Sequence, residues 1–542
     1  MKKLILLIFS VILVLSLVGF VGCNSNNSSE NSSSENSFDN SSLEESLPDS
    51  TPDSVPDSSE SQPDNGKNEP TSSLKYEKSA NGRTLIVVGL EDLEITDLVI
   101  PSTYQGSPVT RIAQSAFSGC TNLTSVTISS GITTIEDYAF CNCNNLTFLT
   151  IGNSISSIAK AVFSGCTSLT EVNYLGTIDN WAQITFESQV SNPLYYSKQL
   201  KINGEVVTHI KLSRTKKICS YAFYNCQNLT SVEILDNVSQ IGSYAFYACS
   251  SLTEVILPNN LTKIGYCVFT DCRSLTKINL PNNLTEIDAH AFSNCRSLTE
   301  IVRPNSVTEI GGHAFYECRG LTEIVIPNSV TEIGYYAFSN CSGLTSVEIL
   351  NSEFQLFYAT FSGCTSLTKV TLPDGLTVIS GNMFSGCTSL MQIDIPSSVT
   401  SIEAYAFYGC TSLSQINLPD GLTQISSSAF RNCTSLTEIN LPDKITTIGS
   451  FAFDNCSSLT QIILPNGVTT IYNYAFYGCK ALTSVVLPSS VTSIGIFSFA
   501  NCNLLTDIKY QGSSLQWSNI SKNGTWDYNT NNYTITYNYT GE

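Results

Sequence analysis

Histidine is nearly missing: the 542 residues hold three, alongside three tryptophans and three methionines. So little imidazole leaves almost no side chain that titrates near neutral pH, which weighs against general acid–base chemistry. Charge is also scarce, at 13% of residues, and it is lopsided: 26 Lys and Arg face 45 Asp and Glu, a net charge of −19. That balance argues against nucleic acid as a partner, since neutralising phosphates takes a basic stripe, and it disfavours electrostatic docking on anionic lipid. No G-x-S-x-G, H-E-x-x-H, phosphate-loop or EF-hand pattern occurs, and each of those chemistries needs its spacing. The chain reads as a non-enzyme, with no cofactor and no metal site. Beyond residue 21 no apolar run is long enough to span a bilayer.

What is present begins with Lys2 and Lys3, followed by an apolar run from Leu4 to Val21. A positive end before such a run is an export signal, with an uncleaved anchor as the alternative. The run closes on Phe20-Val21-Gly22-Cys23, which resembles a bacterial lipobox, with Phe20 where leucine is usual. That resemblance implies cleavage before Cys23 and lipidation of its thiol, leaving residues 1–23 as a lipoprotein-type signal. Residues 24–73 are Ser-, Asn-, Asp- and Pro-rich, with Pro48, Pro52 and Pro56 evenly spaced. Such a stretch has too little apolar surface to offset chain entropy and reads as a disordered tether. At that length its reach is roughly 40 Å. The expected location is extracellular, on the outer face of the membrane, which the chain touches only through its N-terminal lipid.

The remainder repeats itself. Phenylalanines stand at 117, 140 and 163, then at 223 and every 23 residues to 499. The one exceptional step, 163 to 223, is 60 residues, or 23 plus a 37-residue insertion. An invariant period of this length marks a solenoid. In residues 252–269 the frame is Leu252, Val255, Leu257, Leu261, Ile264 and Phe269. The Leu-x-x-Val-x-Leu part alternates as a short strand with one face buried, and Pro258 ends it. A polar turn leads to a second extended piece, and Ala/Val-Phe-x-x-Cys closes the coil as a tight helical or 3-10 turn. One coil buries too few side chains to offset the entropy of ordering it, so coils must stack.

This phrase resembles the BspA-like, or treponemal-type, leucine-rich repeat family of bacterial surface proteins. The resemblance runs from about residue 74 to 542. It implies a mainly β solenoid with short 3-10 or helical turns, a right-handed arc with a parallel sheet on one face. Residues 74–112 then form an N-terminal cap with a degenerate repeat. Residues 113–510 are repeats with an insertion at about 174–210, and 511–542 form a C-terminal cap. Members of the family include proteins that bind host matrix proteins or other bacteria.

Sixteen of the 20 cysteines occupy the same position of the repeat, from Cys120 to Cys502. Stacked coils lie about 4.8 Å apart, so these thiols form a column of like-directed side chains. A disulfide needs converging vectors and zinc needs a tetrahedron, so the column reads as core packing by a small hydrophobe. Two residues before each Phe the chain often places Tyr, but three consecutive coils place Cys267, His290 and His313 there. Drift from Tyr is the plain reading of that triplet and a shared metal the other. Within the insertion, "YLGTIDNWAQI" at 174–184 matches "YQGSSLQWSNI" at 510–520 in Tyr, Gly, Trp and Ile. The second copy follows the last coil, so the motif is expected to cover an apolar solenoid end with its Trp. Asn203-Gly204 favours a hairpin.

The outward strand positions form two columns, and their mixed stretch is the candidate ligand face: Glu254, Ile256, Lys277, Asn279, Glu300, Val302, Glu323 and Val325. A plain solvated face is the competing reading. The function expected is a non-catalytic binding or adhesion module, a monomer with an extracellular protein or glycan ligand. Capture of glycans or wall polymers, or a purely structural coat, are the alternatives.

Overall fold

The computed structural model describes residues 70–302, 305–352 and 355–541. The signal segment, Cys23 and the tether up to residue 69 lie outside the described residues.

The coils build three walls of hydrogen bonds. The first is a parallel ladder of three- to five-residue strands, among them Glu254–Ile256, Lys277–Asn279 and Glu300–Val302, in register at Glu254↔Lys277↔Glu300. The second is a ladder of two-residue strands, such as Lys263–Ile264, Glu286–Ile287, Glu309–Ile310 and Glu332–Ile333, also parallel. Val and Ile suit a pleated surface whose alternate residues are buried, and Val255 and Ile278 point in while their neighbours point out. The third wall is the closing segment, where the Phe amides of the uninterrupted coils donate to the next coil, as in Phe292 N to Ala314 O at 2.8 Å.

That closing segment refines the expected helical turn. Its bonds are of 3-10 type: Ala291 N to Asp288 O, Ser293 N to His290 O, and Cys295 N to Phe292 O, at 3.1–3.2 Å. Yet His290 (φ 58°) and Asn294 (φ 64°) are left-handed, so no continuous helix forms. The same alternation recurs at Tyr138 and Asn142, and at Tyr405 and Gly409. Asn and Gly tolerate this conformation at little cost, whereas other residues pay roughly 1–2 kcal/mol. Named helices fall elsewhere among the described residues: Ile178–Ala182, Gln189–Ser191 and Leu194–Ser197 in the insertion, and Ser514–Asn519 near the end. None of them is long and apolar enough to cross a membrane.

The core is one row of side chains per frame position. Every repeat Phe from Phe117 to Phe499 is buried, and neighbouring rings stack at 5.0–6.1 Å where the coils run without interruption. Two threonine rows add to the stacking. Thr253, Thr276 and Thr299 each donate the side-chain hydroxyl to the carbonyl 23 residues earlier, at 3.0–3.3 Å. Thr308 and Thr331 do the same beside the second ladder.

Each ladder breaks at more than one place, and at the insertion both break together. The first ends in an antiparallel hairpin, Lys201↔Val206, turned by Asn203 and Gly204, both at positive φ. It restarts at His209–Leu212. The second ends at Thr185–Phe186 and restarts at Lys217–Ile218.

Candidate functional site

The thiol column lies inside the solenoid. The 19 described cysteines are free thiols, and all but Cys120 and Cys141 are buried. Each repeat thiol from Cys143 on, except Cys226, donates to the carbonyl of the preceding coil's Phe, as Cys410 Sγ does to Phe384 O at 3.1 Å and Cys433 Sγ to Phe407 O at 3.2 Å. That carbonyl already accepts an amide bond from the cysteine of its own coil. The thiol therefore fills a small apolar space and also meets a second lone pair, which alanine would leave bare. Burial pushes the Cys226 and Cys387 thiols up to about 12, far from the low value a nucleophilic cysteine needs.

His290 and His313 stack face to face at 4.7 Å and 9°, and Tyr336 continues the stack on His313 at 5.0 Å. The ring of Tyr266 meets His290 edge-on at 5.8 Å. Stacked rings do not aim their nitrogens at a common point. Among the described residues no three His, Cys, Asp or Glu groups are placed to hold a metal ion. Burial lowers the His290 pKa, and burial together with the neighbouring His290 pushes His313 down to about 4. A depressed histidine binds protons more readily when the chain is unfolded. Stability is therefore whole above pH 6.5 and falls as pH drops from there towards 4. The double variant His290→Tyr/His313→Tyr restores the column's commonest residue, and it is expected to lose less thermal stability than wild type between pH 7.5 and 4.5. Equal acid sensitivity in scanning calorimetry would show that these rings play no part.

The sheet-face residues fall where alternation put them. Glu254, Lys277, Asn279, Glu300 and Glu323 are exposed, and Ile256 and Val325 keep 52% and 48% of their surface in solvent. Val302 pairs through its backbone with Asn279; its side chain lies outside the described residues. Lys277 and Glu300 form an ion pair. Glu254, Ile256, Lys277 and Asn279 border a shallow groove of about 490 Å³. Glu300, Glu323 and Val325 border another of about 280 Å³, which ends on Leu350, 45% exposed. Leu350 was missed by sequence reasoning because it lies just beyond the strand, at the position where other coils carry the proline that ends it, such as Pro258, Pro281 and Pro327.

Stacked coils with an apolar interior, in-register parallel strands and buried thiols define a leucine-rich-repeat solenoid. The profile described as "BspA type Leucine rich repeat region (6 copies)" matches residues 91–212, 216–345, 285–414, 338–436 and 400–523. The chain belongs to this family of BspA-type leucine-rich repeat proteins. Among solved structures it is similar to a leucine-rich repeat protein from Bacteroides ovatus, at 25% identity over 87% of this chain and 99% of that one, with a TM-score of 0.44. It is also similar to a leucine rich cell surface protein from Faecalibacterium prausnitzii, at 25% identity over 84% and 98%, with a TM-score of 0.37. The pneumococcal vaccine antigen PcpA matches at 18% identity over 83% and 88%, with a TM-score of 0.27. No curated protein matches.

Proposed function

We propose that the chain is a non-catalytic binding module. It is held outside the bacterial cell by a lipidated Cys23 and takes a protein ligand on its parallel-sheet face. The observation that carries this reading is the row from Glu254 to Val325. There exposed Ile256 and Val325 stand among charged and amide side chains, beside grooves of about 490 and 280 Å³. Apolar anchors inside a polar surround are what protein interfaces use. The apolar run before Cys23 and the Pro- and Ser-rich stretch after it support export and presentation away from a membrane.

The test is saturable binding of the purified chain to immobilised matrix proteins, mucins and envelope glycans at physiological salt. Glu300→Lys with Val325→Asp reverses one charge and buries another in the contact. It is expected to weaken a protein signal by at least about tenfold while leaving the melting temperature unchanged. Binding that ignores the double variant would move the ligand off this face.

A further inference from the structure

The residue after each repeat cysteine is normally a small hydroxyl: nine of the sixteen are Ser or Thr. These bond coil to coil, with Thr388 Oγ1 donating to Thr365 O at 3.2 Å and Thr434 Oγ1 to Thr411 O at 3.2 Å. In three consecutive coils the position is instead Arg273, Arg296 and Arg319. An arginine there gives up the hydroxyl bond and sets like charges on successive rungs, about 4.8 Å apart by strand spacing. Coil stacking does not call for that.

The arginines are held in place. Asp271 Oδ1 accepts from Arg273 Nε and Nη2 at 3.2 and 3.1 Å. Asn294 Oδ1 accepts from Arg296 Nε at 2.6 Å. Glu317 Oε2 accepts from Arg296 Nη2 at 3.1 Å and Arg319 Nη2 at 2.9 Å. Glu317 does this from a left-handed backbone, φ 57°, at a position where most coils use Asn or Gly. The array carries three positive and two negative charges, a local excess of one in a chain of −19. Guanidinia offer about five donors each, and among the described residues the three make five such bonds. Their side chains are 57%, 42% and 50% exposed.

We propose that Arg273, Arg296 and Arg319 form a binding strip for an anionic polysaccharide, separate from the sheet face. A polymer with a charge on each sugar matches a cation on each rung, and forked donors suit sulfate and carboxylate alike. The immediate surroundings favour a glycan over an acidic protein. The one exposed large hydrophobic bordering these segments, Tyr266, is already packed edge-on against His290 at 5.8 Å, and none falls within 267–275, 290–298 or 313–321, so the strip offers no free apolar anchor. The flanking rungs carry Ser250 and Ser342, and the Tyr247 hydroxyl sits beside Asp271.

The experiment is titration of the full chain, at low and at physiological salt, with heparin, alginate and neutral dextran. Heparin against alginate separates sulfate from carboxylate recognition. Binding of at least one anionic polymer, with none to dextran, is expected. Arg296→Gln should weaken binding about tenfold and the triple Gln variant should abolish it, while Lys480→Gln, in the same column but distant, should leave it intact. Glu317→Gln releases two guanidinia and should tighten binding several-fold. A network serving only stability would give a lower melting temperature for Glu317→Gln and no gain in binding. Failure of both anionic polymers to bind at low salt, or binding that survives the triple variant, would overturn the proposal. So would polyglutamate or phosphatidylglycerol vesicles that compete as well as the polysaccharide. Loss of sheet-face binding would leave it untouched, since the variants are different.

Discussion

Phe292→Ala is expected to destabilise the chain by about 3–5 kcal/mol and to split one unfolding transition into two. The ring is fully buried and stacks on Phe269 at 5.5 Å and on Phe315 at 5.4 Å, nearly parallel to both. Truncation opens a cavity, because the backbone on either side is fixed. Phe292 N donates to Ala314 O, and Phe292 O accepts from Cys295 N and Cys318 Sγ, so the coil cannot collapse inwards. Each coil contacts only its neighbours, which concentrates the loss at two adjoining interfaces. Far-UV circular dichroism in a urea titration should show the coils on one side of residue 292 melting before those on the other. Phe148→Ala is the control. That ring is 53% exposed on the outer face of its strand, and its removal should fall within about 0.5 kcal/mol of wild type. A small effect at Phe292 would mean that the stacked column is not what couples the coils.

The period was legible in the sequence because burial forces the same residue type to the same place in every coil. The strand face was legible for a related reason: alternation sorts Val255 inwards and Ile256 outwards without knowledge of the neighbour. The left-handed residues were harder to see, since Tyr, His and Cys rarely take that backbone. The usable signal was the second column, where Asn142, Asn225 and Gly409 are the types that tolerate it. The thiol was legible as packing, but its bond to a carbonyl 26 residues earlier depends on how coils are offset. His290 and His313 were placed on adjacent rungs correctly, but that their rings stack face to face was not legible. Asp179 gave no signal, because its partners lie 34–36 residues on and the matching position of the second motif copy is Leu515.

That residue sets up the second large effect: Asp179→Ala is expected to uncouple the coils before the insertion from those after it. Neither ladder crosses this point, so the join depends on side chains and a few main-chain bonds. Asp179 Oδ1 accepts from the amides of Ser213, Arg214 and Thr215 at 2.9–3.2 Å, and the residue is only 8% exposed. Trp181, fully buried, donates Nε1 to Ala222 O at 2.7 Å, and Cys219 N donates to Ala182 O at 2.8 Å. Removing the carboxylate leaves three donors without their acceptor, at about 1–3 kcal/mol for each one that water cannot reach. Calorimetry should resolve two separated transitions where wild type shows one, and Asp179→Asn, which keeps the acceptor oxygen, should shift far less. Leu515→Ala tests the same motif where nothing is joined: Leu515 is 71% exposed, and its loss should be nearly silent. A single unshifted transition in Asp179→Ala would instead assign the join to Trp181 and the apolar core, and Trp181→Ala would then be the variant that separates the two runs of coils.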